Sequence, residues 1–118
     1  MAQIQRGNFQ KYLEYGLKMA TGSDGPRPGA LPGTTALELE LMVDAGMTPV
    51  QALEAATRVG AEVLGLADRL GTLEPGKLAD LVVVDGDPLE DIRVPRDPAR
   101  IRMVVKGGEV VRTPAESA

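Results

Sequence analysis

A nearly unbroken apolar run from Ala79 to Asp85 is the feature that most constrains how this chain can fold. Its β-branched valines favour an extended strand, and a strand without polar alternation is typical of burial on both faces. The segment Glu74-Pro-Gly-Lys77 precedes it, with proline and glycine at the two central positions of a type II turn. We therefore predict a buried strand over 79–85, with a short strand at Gly71–Leu73 before the turn.

The N-terminal third has a helix-like pattern and then an extended one. Apolar spacing predicts a helix over 3–16 that ends at Gly16, and Leu17–Thr21 is predicted to be a short strand. Gly22-Ser-Asp24 follows that strand directly, and a strand that ends in Gly and Asp is how parallel α/β folds place a carboxylate at the mouth of a pocket. Residues 25–33 contain three prolines and three glycines, which exclude regular structure and leave open a pocket loop or a solvated connector.

Two capping boxes predict the helices that come next. In such a box, a Thr hydroxyl and a Glu or Gln side chain three residues later satisfy two free amide donors. Thr35-Ala-Leu-Glu38 predicts a helix to Ala45, and Thr48-Pro-Val-Gln51 predicts a helix to about residue 58 and a further turn to Gly65. Towards the C-terminus, the segment 101–112 is predicted to be a hairpin with a two-residue Gly-Gly turn.

Composition excludes several classes of partner and site. The chain has 118 residues and a net charge of −4, and it has no aromatic residue after Tyr15. Nucleic-acid binding is therefore not expected, because it calls for clustered Lys and Arg or for aromatic stacking platforms. No apolar run approaches the roughly 18 residues of a membrane span, and cysteine is absent, so we expect a cytoplasmic protein without membrane contact.

The order of strand, Gly-Ser-Asp, two helices and a small β segment resembles the C-terminal portion of the amidohydrolase superfamily, in particular its imidazolonepropionase-like and prolidase-like members. The most specific piece is Gly71-Thr-Leu-Glu-Pro-Gly-Lys-Leu-Ala-Asp-Leu-Val82. The other matching pieces are Ala20-Thr-Gly-Ser-Asp24, Glu38-Leu-Glu-Leu-Met-Val-Asp-Ala-Gly-Met-Thr-Pro49, Ala52-Leu-Glu-Ala-Ala-Thr57, Ala61-Glu-Val-Leu-Gly65 and Arg102-Met-Val-Val-Lys-Gly-Gly-Glu-Val-Val111.

The resemblance implies an α/β fold: the last strand and helices of a (β/α)8 metal-dependent hydrolase barrel, followed by part of a small β-sandwich. Residues 1–66 would form the end of the barrel, 67–113 strands of the composite sandwich, and 114–118 a tail. A complete barrel needs about 250 residues, so this chain would form an incomplete one.

The resemblance also implies a role for Asp24. It matches the family's aspartate after the eighth barrel strand, which binds the metal or takes a proton from metal-bound water. The alternative is a turn aspartate that bonds its own backbone. Catalytic zinc normally takes three protein ligands, and this chain contains no histidine, so Asp24 would bind metal only with ligands from outside the chain. Arg27 is a weaker candidate, for binding a substrate carboxylate through its guanidinium.

Glu38, Glu40 and Asp44 form an acidic group on one predicted helix. Residues 40 and 44 share a face, but solvated charge is the favoured interpretation over metal binding.

Two functions are consistent with these observations. The first is a C-terminal segment of a metal-dependent amidohydrolase, either truncated or one piece of a split enzyme, that hydrolyses a C–N bond in a cyclic amide or Xaa-Pro dipeptide. The complete enzyme would use a divalent metal, with zinc the first candidate, whereas this chain alone is expected to hold none and to be inactive. The second is a non-catalytic module that binds a complementary chain or forms a homo-oligomer, because an apolar strand without neighbours exposes unpaired backbone groups.

Overall fold

The computed structural model describes residues 3–22 and 35–113. They form four helices, three strands and two short 3₁₀ turns. The helices are α1 (Gln3–Glu14), α2 (Thr35–Asp44), α3 (Pro49–Ala56) and α4 (Arg58–Val63). In this part of the chain no helix is long and apolar enough to cross a bilayer. The predicted helices at 3–16, 35–45 and 49–58 are confirmed to within one or two residues at each end.

The second capping box is confirmed in full. The Thr48 hydroxyl accepts the N–H of Gln51 at 3.2 Å, and the Gln51 side chain accepts the N–H of Thr48 at 2.9 Å. Pro49 occupies the first helical position, where a missing N–H costs no hydrogen bond. The first box is displaced, because α2 begins at Thr35 itself, so Thr35 lies inside the helix instead of capping it.

The C-terminal half contains a three-stranded antiparallel sheet in the order β1-β2-β3. Its strands are β1 (Leu81–Val84), β2 (Ile101–Lys106) and β3 (Glu109–Arg112), and the 3₁₀ turns at Val94–Arg96 and Pro98–Arg100 lead into β2. Gly107 and Gly108 form the predicted two-residue turn between β2 and β3, with φ values of 58° and 84°. Positive φ at both positions is the geometry whose twist suits a tight hairpin, and glycine adopts it without steric cost.

The hairpin turn is also fastened to the residues before β1. The amide of Gly107 donates to the Asp80 side chain at 2.7 Å, and the amide of Gly108 donates to the Ala79 carbonyl at 3.1 Å. Asp80, which directly precedes β1, is therefore a strand-end residue. These bonds help to hold β1 against β2 in the observed register, in which Leu81 lies opposite Val105.

Three strand predictions need correction. Neither Leu17–Thr21 nor Gly71–Leu73 forms a strand, because no described segment pairs alongside them. The run predicted as a strand over 79–85 is β1 over four residues only, and it is not buried on both faces. Val82 and Val83 are 55% and 44% exposed. The physical reason is that, among the described residues, no helix packs extensively against a face of this sheet.

The core lies where the helices meet the segment after β1. Leu39 and Met42 of α2, Ala52 and Ala55 of α3, and Met47 between these helices pack with Ile92 in one buried cluster. Phe9 and Leu13 of α1 pack against its margin. With two alanines among its six buried members, this core is made of small and flexible side chains, as expected for a chain without aromatics after Tyr15.

Candidate functional site

The predicted catalytic residue Asp24 and the predicted substrate residue Arg27 lie outside the described residues, as do the loop 25–33 and the tail 114–118. What the structure describes is the approach to Asp24, residues 17–22, which we call the lead-in segment. The lead-in segment is not a strand, yet its backbone and side chains are attached to all three helices that follow it, α2, α3 and α4. These attachments determine where the chain arrives before Asp24.

Two of the attachments lead to α3 and α4. The amide of Thr21 donates to the carbonyl of Ala55 at 3.2 Å, at the end of α3. The ammonium of Lys18 lies 3.0 Å from a carboxylate oxygen of Glu62 in α4. The first contact fixes the backbone, whereas the second is largely exposed and adds little on its own.

The third attachment lies at the end of the lead-in segment. The amide of Gly22 donates to both carboxylate oxygens of Glu38, at 3.2 Å each. Glu38 lies in the first turn of α2, where the helix dipole favours an anion. Because α2 begins at Thr35, this contact joins the two described ends of the segment that contains Asp24. The sequence interpretation assigned Glu38 to a cap or to solvated charge and did not anticipate this contact.

The remaining members of the acidic group are not brought together as a metal site. Glu40 pairs with Arg96 of the first 3₁₀ turn at 2.6 Å, and Asp44 contributes its backbone carbonyl to the guanidinium of Arg6. Across residues 3–22 and 35–113 no three acidic, histidine or cysteine side chains are grouped to hold a metal ion. The residues described here therefore do not fit the divalent metal that the resemblance implies. The predicted solvated charge does not hold for Glu40, which is ion-paired and whose side chain is only 22% exposed.

A chain of ion pairs extends from the lead-in segment along α3 and α4. Glu62 accepts from Lys18 and from Arg58, and Arg58 also reaches Glu54 at 3.2 Å. The hydrogen bond from Lys18, followed by the charges of Lys18 and Arg58, lowers the pKa of Glu62 below its usual value. The carboxylate of Glu54 raises the pKa of Arg58. This network favours the charged state of Glu62 and thereby maintains the link to Lys18.

Lys77 is a second centre of polar contacts, and it anchors the motif that is most specific to the resemblance. Its ammonium donates to the carbonyl of Ala67 and to the hydroxyl of Thr72, both at 2.7 Å, and it lies 2.9 Å from Glu74. The predicted turn is confirmed, since the amide of Lys77 donates to the Glu74 carbonyl and Gly76 has φ of 90°. No role is predicted for Lys77 from the sequence. A lysine placed immediately after a Pro-Gly turn, with a threonine before it, is the signal that would have suggested one.

An open hollow of about 330 Å³ lies between α2, the 3₁₀ turns and the hairpin. Its lining includes Leu37, Ile101, Arg96 and Arg112. Arg96 is paired with Glu40, and Arg112 also has an interaction of its own. The hollow therefore gives no independent evidence of a bound ligand.

The comparison with protein families gives one clear result. The sequence profile described as the amidohydrolase family matches residues 2–111, which is nearly the whole chain. The prediction of an amidohydrolase-like C-terminal portion from Gly71–Val82 and the accompanying motifs is confirmed at this level.

Individual relatives agree with this family match. Ochratoxinase of Aspergillus niger is 38% identical over 108 residues, which cover 90% of this chain and 22% of that enzyme. Imidazolonepropionase of Erwinia tasmaniensis is 43% identical over 87 residues, covering 70% of this chain and 20% of the enzyme. Among solved structures, a Xaa-Pro dipeptidase with methionine in its active site superimposes with a TM-score of 0.81 at 37% identity, covering 91% of this chain and 25% of that one. The chain thus spans about a fifth to a quarter of the length of the relatives it matches.

Proposed function

This chain belongs to the amidohydrolase family, and from that membership we propose that it is the C-terminal segment of a hydrolase that acts on C–N bonds. The match of the family profile over residues 2–111 is the observation that carries the proposal. The names of the relatives suggest two substrate classes, a cyclic amide and an Xaa-Pro dipeptide, for the complete enzyme. Ochratoxinase was not among the relatives predicted from the sequence.

The proposed architecture follows the same relationship. Residues 1–66 would form the last strand and helices of a (β/α)8 barrel, and residues 67–113 would supply strands to a composite β-sandwich. The edge of β1 that is unpaired among the described residues supports this arrangement, since it would gain a partner in a larger sheet. The lead-in segment would become the last barrel strand in the same way. A cytoplasmic location remains a prediction.

The proposed chemistry assigns Asp24 to the reacting centre. Water attacks the carbonyl carbon, the C–N bond breaks, and the proton that Asp24 accepts from the water passes to the leaving nitrogen. Arg27, three residues on, would bind a carboxylate of the substrate through two parallel hydrogen bonds. The three attachments of the lead-in segment support a defined position for the chain just before Asp24.

We further propose that the complete enzyme depends on a divalent metal, with zinc the first candidate. The described part of this chain provides no cluster for one, and the sequence contains neither histidine nor cysteine. Asp24 alone falls short of the three protein ligands that catalytic zinc normally takes. Ligands would therefore come from outside this chain, and the chain by itself would be inactive until a complementary chain supplies them.

Complementation tests the proposal directly. The purified chain would be mixed with the Xaa-Pro dipeptidase truncated to remove the quarter of its length that this chain matches, and proline release from an Xaa-Pro dipeptide would be measured. We expect no turnover from either part alone, turnover from the mixture, and its loss on Asp24→Asn. Asp68→Asn, at an exposed aspartate elsewhere, is the matched control and should leave turnover unchanged.

Two outcomes would contradict the proposal. Hydrolysis by the isolated chain would show that it is not inactive alone. Restored turnover that persists in Asp24→Asn would remove Asp24 from the reacting centre.

A second candidate is a non-catalytic interaction or dimerisation module. The exposure of Val82 and Val83 on β1, which is paired on one side only among the described residues, favours it. Complex formation without turnover in the same mixture, or a stable homo-oligomer of the chain, would support this candidate over the first.

A further inference from the structure

The contact between Gly22 and Glu38 differs from the other attachments of the lead-in segment. Lys18 is held by an exposed ion pair and Thr21 by a backbone bond, but the amide of Gly22 meets a charged side chain, with both oxygens at 3.2 Å. Glu38 itself is only partly exposed. Bonds in which the acceptor is ionised are about twice as strong as neutral ones.

Glycine at position 22 makes this contact consequential. Glycine has no Cβ and populates more backbone conformations than any other residue, so a free Gly22 would let the following residues swing widely. A carboxylate on its amide fixes the peptide between Thr21 and Gly22, so the chain sets out towards Asp24 from a defined orientation. Among the described contacts of Gly22, the bond to Glu38 is the one that comes from another element of the fold.

Glu38 also connects the chain on both sides of Asp24. The lead-in segment ends at Gly22, and α2 resumes the described chain at Thr35. Because Glu38 lies in the first turn of α2, its carboxylate fixes Gly22, which comes before Asp24, relative to α2, which comes after it.

We propose that Glu38 is a positioning residue for Asp24, acting through the amide of Gly22. The inference rests on the proposed role of Asp24 in hydrolysis. Glu38 does not touch the substrate in this proposal. It holds the peptide that precedes the reacting carboxylate, and small displacements of a reacting group cost large factors in rate.

The first test uses the isolated chain and NMR. In Glu38→Ala, hydrogen exchange at the Gly22 amide should accelerate by about tenfold or more, since a bond to a charged acceptor is lost. The ¹³C shift of the Asp24 carboxyl should change as well. Glu40→Ala is the matched control: it removes a carboxylate from the same helix and breaks the ion pair with Arg96, but it should leave both signals unchanged.

Glu38→Gln is the control for a loss of the fold in Glu38→Ala. Its amide oxygen can still accept from Gly22 but carries no charge, so exchange should fall between that of the parent and that of Glu38→Ala. If Gly22 exchange and the Asp24 signal stay at parent values in both Glu38 variants, the inference is overturned. It is also overturned if Glu40→Ala changes Gly22 exchange and the Asp24 signal as much as Glu38→Ala does.

The second test uses the complemented hydrolase. Glu38→Ala should lower kcat by about ten- to a hundredfold with KM little changed, and Glu38→Gln should recover part of the loss. Full kcat in Glu38→Ala, with turnover still abolished by Asp24→Asn, would overturn this inference and leave the proposed function standing. Undiminished turnover in Asp24→Asn would overturn the proposed function instead, whatever happens at Gly22.

Discussion

The ammonium of Lys77 lies 2.7 Å from the hydroxyl of Thr72 and equally close to the carbonyl of Ala67, which closes the loop before β1 around a single cation. Only 16% of the Lys77 side chain is exposed. Met fits the same space but leaves the carbonyl of Ala67 without its donor. Lys77→Met should lower the free energy of unfolding by about 1–3 kcal/mol, measured by urea denaturation.

Lys106 provides the control for that substitution. It is an exposed lysine at the end of β2, and Lys106→Met should change the free energy of unfolding by no more than about 0.5 kcal/mol. Equal losses in the two variants would mean that the Lys77 contacts contribute no more than any surface lysine.

Gly71 is predicted to be intolerant of any side chain. Its φ is 100°, and a Cβ there would lie 2.6 Å from the Cβ of Ala61 and 3.2 Å from the carbonyl oxygen of Thr57. Gly76 has a similar φ of 90° but open space around it. Gly76→Ala should cost about 1–2 kcal/mol from backbone strain alone, and Gly71→Ala about 1–3 kcal/mol more from the clash. Thermal and urea unfolding of both variants measure the difference, and equal losses would refute the steric part.

Stability should decline at acid pH because three carboxyl groups have lowered pKa values. Hydrogen bonds from Lys18 to Glu62, from Thr72 to Glu74 and from Arg93 to Asp91 are the largest causes. A carboxyl whose pKa is lower in the folded state stabilises the fold above its ordinary pKa, and this contribution is lost as pH falls through the folded value. The ordinary value for Glu62 is 4.5, so the urea midpoint should drop progressively below that pH.

Glu62→Gln tests this assignment, because it removes one of the three carboxyl groups whose pKa is lowered. The variant should start with a lower midpoint at pH 7 and show a shallower decline towards pH 3. The same slope as the parent would exclude Glu62 from the acid response.

The cap of α3 is predicted to contribute measurably to stability. Thr48→Ala removes the hydroxyl that accepts from Gln51 and should cost about 1 kcal/mol. Thr48→Ser keeps the oxygen and should recover most of that loss. The urea midpoints of the three proteins give the comparison, and a serine variant as unstable as the alanine one would show that the hydroxyl is not the source.

Local signals explain why much of the fold was predictable. The capping box at Thr48, the Pro75-Gly76 turn and the Gly107-Gly108 hairpin each depend on residues within a few positions of one another. The family was likewise predictable, because Gly71–Val82 is a long and specific motif. Such features carry their own hydrogen bonds or backbone preferences and need no distant partner.

The errors share one physical origin, which is dependence on distant segments. Leu17–Thr21 and Gly71–Leu73 have strand-like composition, but a strand exists only where another segment supplies its hydrogen bonds. Val82 is exposed for a related reason, because burial of a strand's face needs another element to cover it. Glu38 and Lys77 were missed as contact centres because their partners lie up to 16 positions away, and Asp24 and Arg27 remain predictions.

The buried position of Ile92 affects when the chain can fold during its synthesis. Leu39 and Met42 share their buried cluster with this residue, which lies some fifty positions further along. We expect the helices to stay loosely packed on the ribosome until that isoleucine has left the exit tunnel, so that protease resistance of stalled nascent chains would rise abruptly with its emergence.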